Sequence, residues 1–406
     1  MAARVPLVRP DLGEAEAEAA ARVVRSGWVT QGPEVAAFEA EFAAAVGAEH
    51  AVAVSNCTVA LQLALSAVGV RPGDDVATAS HSFIATANAI VALGARPVFV
   101  DVEEDTFGMD PGRLEAALTP RTRAVLCVHQ LGIPCDLEGI LRLAGARGLP
   151  VVEDAACALG SEASWQGRSE RIGRPRGAVA CFSLHPRKVV TTGDGGVLTT
   201  GDAALAAAFR LRRQHAMSIP DTVRHQSQSV VYEEYVEPAF NYRLTDLQAA
   251  VGRPQLARLG AIVEERRRLA AVYHQALADH AVLAPPRERP GVRANWQSYP
   301  ARLRAGGAEL QRDVLQFLLD RGVAGKRGVH NAHQEPAYRS SGAAWSCGPG
   351  ACGRDHAAGT CPRLATSERL RDTTVLLPLF HGMREDEQAQ VLDALAALHR
   401  GAGRTR

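Results

Sequence analysis

Ala124-Val125-Leu126-Cys127-Val128-His129, then Leu137 to Ala146, then Pro150-Val151-Val152-Glu153-Asp154, is the stretch that decides the fold. The first and third segments are short apolar runs of strand length, and the second has the apolar spacing of a helix. Two strands of this kind joined by a helix pair in parallel, because a parallel pair needs a long crossover. The same alternation extends upstream. Ala51–Val54, Asp75–Ala79 and Pro97–Val102 are predicted strands. Val59–Val68, Phe83–Leu93 and Gly112–Leu118 are the helices between them, and Gly69 closes the first. Ahead of these, Asp11–Gly27 and a segment opened by Gly32-Pro33 and closed by Gly47 are predicted helices. The fold class is therefore α/β, with a mainly parallel sheet sandwiched by helices.

Downstream the pattern changes. Thr245 to Ala278 is predicted as a long Arg-rich helical connection. Beyond it come a strand at Trp296–Leu303, a helix at Leu310–Arg321, a strand at Val375–Pro378 and a helix at Glu385–Leu398. This gives a large domain over residues 1–255 and a smaller C-terminal α+β domain over 256–406.

With 45 basic against 44 acidic residues the formal charge is +1, so no global field draws the chain to nucleic acid or an acidic membrane. No apolar run is long enough to span a bilayer, and no apolar core follows Arg4 and Arg9 as in a signal peptide. A cytoplasmic location, with neither nucleic acid nor membrane as partner, is the expectation. Of the 45 basic residues only Lys188 and Lys326 are lysines. Chemistry that needs an amine side chain thus has two candidates.

Beyond the carboxyl ends of parallel strands is where ligands bind in such sheets. Asp154 stands at one such end; on its own it is read equally as a helix cap or half of a structural ion pair. Further on, the apolar run ending Phe182-Ser183-Leu184-His185-Pro186-Arg187-Lys188 leads into the glycine-rich Thr191-Thr192-Gly193-Asp194-Gly195-Gly196. A lysine there, in a chain that otherwise uses arginine, suits Schiff-base chemistry, since only an amine that can lose its proton will do it. Pyridoxal 5'-phosphate (PLP) would need three things besides: a carboxylate for its ring nitrogen, a ring to stack on its face, and donors for its phosphate. Asp154, Phe83 and the turn Ser55-Asn56-Cys57-Thr58 supply these in chain order, the last as a helix N-terminus.

Taken together these segments resemble the DegT/DnrJ/StrS family of sugar aminotransferases, within the fold-type I PLP-dependent transferases. The resemblance runs through Gly32-Pro33-Glu34-Val35 to Phe38-Glu39, Ser55 to Leu61, Ile84 to Asn88, Val98 to Val102 and Glu153 to Ala156. It continues through Phe182 to Lys188, Gly193 to Gly196, Asn241 to Asp246 and Leu377 to Phe380. It implies Lys188 as the Schiff-base lysine and Asp154 as the partner of the ring nitrogen. Phe83 would stack on the ring, while Thr58, Ser183 and the backbone of Cys57 would hold the phosphate. Asn241 would reach the phosphate of a neighbouring subunit, so a homodimer with shared sites is implied; the alternative is that Asn241 caps the helix near Thr245. Cys157 stands where relatives have a residue near the cofactor's 3-oxygen, as a contact or as a packed thiol. His333, with Arg327 beside Lys326, is implied on the substrate side; Lys326 and Arg327 also read as a solvated pair.

The implied reaction moves an amino group from an amino acid, L-glutamate by resemblance, to a keto-sugar, a nucleotide-linked keto-hexose, in amino-sugar, antibiotic or polysaccharide biosynthesis. A cyclitol aminotransferase and a PLP-dependent sugar dehydratase of the same fold are the alternatives. The dehydratases carry histidine where Lys188 stands. A nicotinamide-binding fold is excluded by the lack of G-x-G-x-x-G after the first strand. No metal is expected. His330 and His333 have ligand spacing but no third partner nearby in sequence, and Cys347, Cys352, Cys361 and His356 lack the tight C-x2-C of a zinc knuckle.

Overall fold

The chain is described here from a computed structural model, which covers residues 4–287, 289–339, 344–350, 352 and 359–402. The predicted strands form at β1 (His50–Val54), β2 (Asp75–Ala79), β3 (Arg96–Val100), β4 (Thr122–Val128) and β5 (Val151–Asp154). A hairpin, β6 (Glu162–Trp165) and β7 (Arg168–Arg171), precedes β8 (Val179–Ser183) and β9 (Gly196–Thr200). Seven of these make one sheet in the order β1-β9-β8-β5-β4-β2-β3. Pairings of β3 with β2, β2 with β4, β4 with β5 and β5 with β8 are parallel, whereas β9 runs antiparallel to both β1 and β8.

Alternation along each strand buries both faces. In β1, Ala51 and Ala53 face a cluster with Phe38, Phe42 and Phe182, while Val52 and Val54 face Leu61, Leu65 and Phe209. In β4, Leu126 points to that second cluster and Val125 to a third around Leu114 and Ile140. A sheet covered on both sides reads as continuous apolar runs, which is what made these strands legible.

Thr245 to Ala278 is two helices, not one. Asp246–Ala257 ends at Arg258, and Leu259–Leu277 starts directly after. Pro254 in the last turn removes a backbone donor, and Arg258 at φ −92°, ψ 2° turns the chain. Thr245 caps the first helix by accepting from the Gln248 N–H. Asp246 works at long range: its carboxylate accepts from the N–H groups of Gly32, Glu34 and Val35, capping the helix Pro33–Val46.

The C-terminal part contains β10 (Leu283–Ala284), β11 (Val292–Arg293), β12 (Tyr299–Leu303), β13 (Lys326–Arg327) and β14 (Thr374–Leu377). An antiparallel sheet β10-β12-β14-β13 forms there, and β11 joins the hairpin β6-β7. The core of this part includes Tyr273, Tyr299, Leu318 and Phe380, and it also takes in Val5, which bridges to Val323. Arg266, almost fully buried, binds the whole together. It donates to the carbonyls of Trp296, Gln297 and Leu379. Trp296 sits at φ +51°, an uncommon conformation for a bulky residue, so its turn depends on such anchoring.

Candidate active site

A cavity of about 550 Å³ opens where β1, β2, β4, β5 and β8 end. The wall takes Asn56, Cys57 and Thr58 from the turn after β1, and Ser82, Phe83 and Thr86 from the turn after β2. His129 and Gln130 follow β4, Asp154 and Cys157 come with β5, and Ser183, His185, Arg187 and Lys188 with β8. Leu7, Gln297, Lys326, Val329 and His330 close the opposite side. A second concavity, about 410 Å³ around Trp165, Arg174 and Arg289, gathers none of the expected residues.

Asp154 is buried and faces this cavity. Its Oδ2 accepts from Thr86 Oγ1 at 2.8 Å and its Oδ1 from the Ala156 N–H at 3.1 Å. Thr86 Oγ1 is also 2.7 Å from Ser82 Oγ, so a hydroxyl chain orients the carboxylate. Burial pushes the Asp154 carboxyl above its ordinary range, more strongly than Thr86, Ala156 and Lys188 pull it down. Two hydrogen bonds leave lone pairs on the carboxylate for one further cationic partner in the cavity.

Lys188 Nζ lies 3.1 Å from Cys157 Sγ. Burial pulls the amine down, but Cys157, Cys57 and Asp154 outweigh it and hold it above its ordinary value. The backbone on either side of it is pinned: Thr191 Oγ1 donates to the Leu184 carbonyl, and Gln255 bridges the Thr191 N–H and C=O. Gly193 at φ +83° makes the turn that returns the chain into β9.

The helix Cys57–Ala67 aims its N-terminus into the cavity. Asn56 Oδ1 accepts from the Val59 N–H, so the amides of Cys57 and Thr58, which have no acceptor within the helix, remain for a ligand. Gly196 allows this turn to sit against β9, since a Cβ there would lie 2.5 Å from the Asn56 carbonyl carbon. Burial pushes the Cys57 thiol well up, so it adds no negative charge beside this anion site. Phe83 is 67% exposed, a large apolar ring held at the cavity rim by its place just before the helix Ile84–Val91.

These features suit PLP: a buried acid for the ring nitrogen, an amine within the same cavity, an uncovered aromatic face and a helix N-terminus for a phosphate. Of the residues expected from sequence, Cys57, Thr58, Phe83, Asp154, Cys157, Ser183 and Lys188 all line the one cavity. Three do not. Asn241 is exposed, with its Oδ1 only accepting from the Arg243 N–H at 3.3 Å, and Thr245, not Asn241, caps the helix there. Arg327 turns to His330 and Glu335. His333 is buried behind the wall between Ser80 Oγ at 2.6 Å and Glu368 Oε1 at 3.2 Å.

Several lining residues had no role in the sequence reading. Thr86 lay inside a quoted segment, yet only the fold shows it bonded to Asp154. His129, at the end of β4, is clamped by Glu153 Oε2 at 3.0 Å. Burial would lower its imidazole, but Cys135 and Glu153 outweigh that and hold it above its ordinary value. Gln297 donates to the Arg187 carbonyl and keeps its Oε1 buried without a partner among the described residues. A position directly after strand β4 was a signal for His129; nothing in the sequence marks Gln297.

Comparison with known proteins identifies the family. The DegT/DnrJ/EryC1/StrS aminotransferase family matches residues 10–396. The spore coat polysaccharide biosynthesis protein SpsC of Bacillus subtilis (strain 168) is 36% identical over 401 residues, covering 98% of each chain. Among solved structures, the aminotransferase TlmJ of Streptoalloteichus hindustanus superposes with a TM-score of 0.83 at 33% identity, over 97% of this chain and 99% of that one. DesV of S. venezuelae does so with 0.82 at 34%, over 98% and 99%. The chain belongs to the DegT/DnrJ/EryC1/StrS aminotransferase family, the PLP-dependent sugar aminotransferases.

Proposed function

We propose that this enzyme transfers the amino group of L-glutamate to a nucleotide-linked keto-hexose, and that it works as a homodimer with shared active sites. The observation that carries the reading is that Lys188 and Asp154 face one cavity that two further cationic side chains also line. Arg187 and Lys326 line it, and burial together with the nearby Arg187 and Arg327 lowers the Lys326 amine. Such crowding of cations is relieved by an anionic substrate, and a nucleoside diphosphate supplies the charge.

PLP, when bound, supplies an electron sink for the substrate carbon whose proton is removed. Asp154 would hold a proton on the ring nitrogen by presenting a negative charge to it, and Thr86 fixes the direction of that carboxylate. Thr58, Ser183 and the first amides of the helix Cys57–Ala67 would hold the phosphate. Lys188 would hold the cofactor, and its Nζ, when free, would take the proton from the donor carbon and later give one to the acceptor carbon. Cys157, 3.1 Å from that amine, positions it between these duties. Phe83 covers the outer face. Residues 1–255 supply these groups, and residues 256–406 supply Gln297, Lys326 and His330 to the acceptor side.

The dimer explains two otherwise costly features. Besides Phe83, the segment 230–240 exposes Val230, Tyr232, Tyr235, Val236 and Phe240, all more than half exposed, which is more apolar surface in one segment than a monomer usually shows. Asn241 follows directly, close in sequence to this surface and free to serve a partner's phosphate. Among the described residues no helix is long and apolar enough to cross a membrane.

The test uses the holoenzyme, L-[15N]glutamate and a panel of nucleotide-linked 3- and 4-keto-hexoses, read by mass spectrometry. Replacement of the keto oxygen by a 15N amino group, with 2-oxoglutarate formed in equal amount, is the expected result. Amination of a free cyclitol ketone alone would overturn the acceptor. For the dimer, inactive Lys188→Ala and Asn241→Asp proteins are mixed under subunit exchange. Shared sites put both lesions in one site and leave the other intact, so roughly half of wild-type activity returns per heterodimer. No recovery despite exchange would place Asn241 in its own subunit's service.

A further inference from the structure

The segment between Arg339 and Arg363 is not used by the proposed reaction, yet the fold brings its three cysteines together. Cys347, Cys352 and Cys361 are free thiols whose sulfurs all lie within 4.8 Å of one another. Cys352 Sγ and Cys361 Sγ are 3.9 Å apart. With zinc–thiolate bonds of about 2.3 Å, the edge of a tetrahedral site is about 3.8 Å. A disulfide bond would be about 2.05 Å, and pairing any two of three thiols would strand the third. We propose that Cys347, Cys352 and Cys361 hold a structural zinc ion that clamps this loop onto the edge of the main sheet.

Local structure supplies the rest of the argument. Ser346 extends the sheet beyond β3, its carbonyl accepting from the Phe99 N–H at 2.6 Å and its N–H donating to the Pro97 carbonyl at 3.0 Å. Cys347 and Cys361 are buried in a small cluster with Phe99, Tyr338, Trp345 and Leu364. Arg363 donates to the carbonyls of Cys347 and Pro349, holding the two ends of the loop beside each other. An eight-residue cluster is too small a core to order a glycine-rich loop by burial alone, and small units of this kind commonly use a metal or disulfide staple. Zinc accepts three thiolates with one further nitrogen or oxygen donor. His356 lies in the same loop but outside the described residues, and the three sulfurs carry the argument without it. The other thiol group, Cys127 and Cys135 with His129, differs in kind, because both nitrogens of His129 already face protein partners.

The clamp reaches the cavity wall. The Cys361 N–H donates to Glu368 Oε1 at 2.6 Å, and the same oxygen is 3.2 Å from His333 Nε2. His333 Nδ1 in turn meets Ser80 Oγ at 2.6 Å, immediately after β2 and just before the turn that carries Phe83. His333 is thus a positioning residue, set by the loop that the metal closes.

The experiment measures metal in the full-length protein purified under reducing conditions without chelator, from zinc-supplemented cells. About one zinc per chain is expected, retained in Cys181→Ser and lost in Cys352→Ser, which replaces the one half-exposed ligand and so disturbs packing least. Exchange of the zinc for cobalt should give thiolate-to-metal charge-transfer absorption in the near ultraviolet. That signal reports the ligands even if a variant folds poorly. Less than about a tenth of a zinc per chain after supplementation would overturn the proposal. So would a disulfide between any two of the three cysteines, or equal metal content in Cys352→Ser and wild type.

Discussion

Replacing Asp154 by asparagine separates charge from shape at one buried position. The fold should be indifferent to the change. The amide oxygen can still accept from the Ala156 N–H, and its NH2 can donate to Thr86 Oγ1, which then donates to Ser82 in a reversed chain. Burial already pushes the Asp154 carboxyl up, so removing its charge relieves a desolvation cost. Melting temperature should move by no more than a few degrees. Catalysis should not be indifferent. A carboxylate against a protonated ring nitrogen at roughly 4 Å is worth about 4 kcal/mol at an effective dielectric of 20. Each ~1.4 kcal/mol is tenfold, so kcat/KM should fall by about 10³. The assay pairs the half-reaction rate with L-glutamate against cofactor content, followed by absorbance on the order of 410–430 nm. A loaded Asp154→Asn enzyme within fivefold of wild-type kcat/KM would refute the reasoning and return Asp154 to a structural role. A collapse of melting temperature would refute the claim that its charge is dispensable to the fold.

Two further outcomes concern residues whose role is set by burial. Arg266→Lys keeps the charge but loses the planar fork that serves three carbonyls, and should cost roughly 2–4 kcal/mol of stability by denaturant titration while raising KM through the Gln297 turn; an unchanged midpoint would contradict this. His81 and His381 are each held down to about 4 by burial, against an ordinary 6.5, and each keeps its Nε2 unpartnered among the described residues. Their folded pKa is depressed, so between pH 6.5 and 4 the unfolded chain binds protons that the folded one refuses. Stability is then fully present above pH 6.5 and falls with pH, by about 3 kcal/mol for His81 near pH 4. A melting temperature flat from pH 7 to 5, or as steep in His81→Asn as in wild type, would sink this.

The parts legible in sequence were those whose signal is local. β2, β4 and β5 are apolar on both faces, so strand length and composition gave them away without any knowledge of their neighbours. Lys188, Asp154 and the Cys57-Thr58 turn were found because parallel strands deliver their following residues to one edge. Knowing the strands was enough to place the ligands. The antiparallel insertion of β9 was not legible, because a strand's direction depends on where its connection leads, and the short return from Lys188 through Gly193 carries no periodic signal. The break at Arg258 was missed for a related reason: Pro254 sits in the last turn, where the lost donor costs least, and the helical composition runs on either side without change.

What stayed hidden has a single physical character: the role of each residue is fixed by a partner remote in sequence. Asp246 caps a helix more than two hundred positions earlier. Arg266 is placed by carbonyls just before β12 and just after β14, and Thr86 matters because β5 delivers Asp154 beside it. The cysteine loop is the sharpest instance. Judged by spacing, Cys347, Cys352 and Cys361 lack the tight pair that a self-contained zinc knuckle needs, because such a knuckle must preorganise two ligands within one turn. Here the preorganisation comes from elsewhere: β3 fixes Ser346, Arg363 holds the carbonyls of Cys347 and Pro349, and Glu368 fixes the Cys361 amide. A loop anchored at both ends on a rigid sheet can converge three sulfurs at any spacing that its length allows. Ligand spacing therefore constrains an isolated knuckle more than a loop anchored on a folded domain.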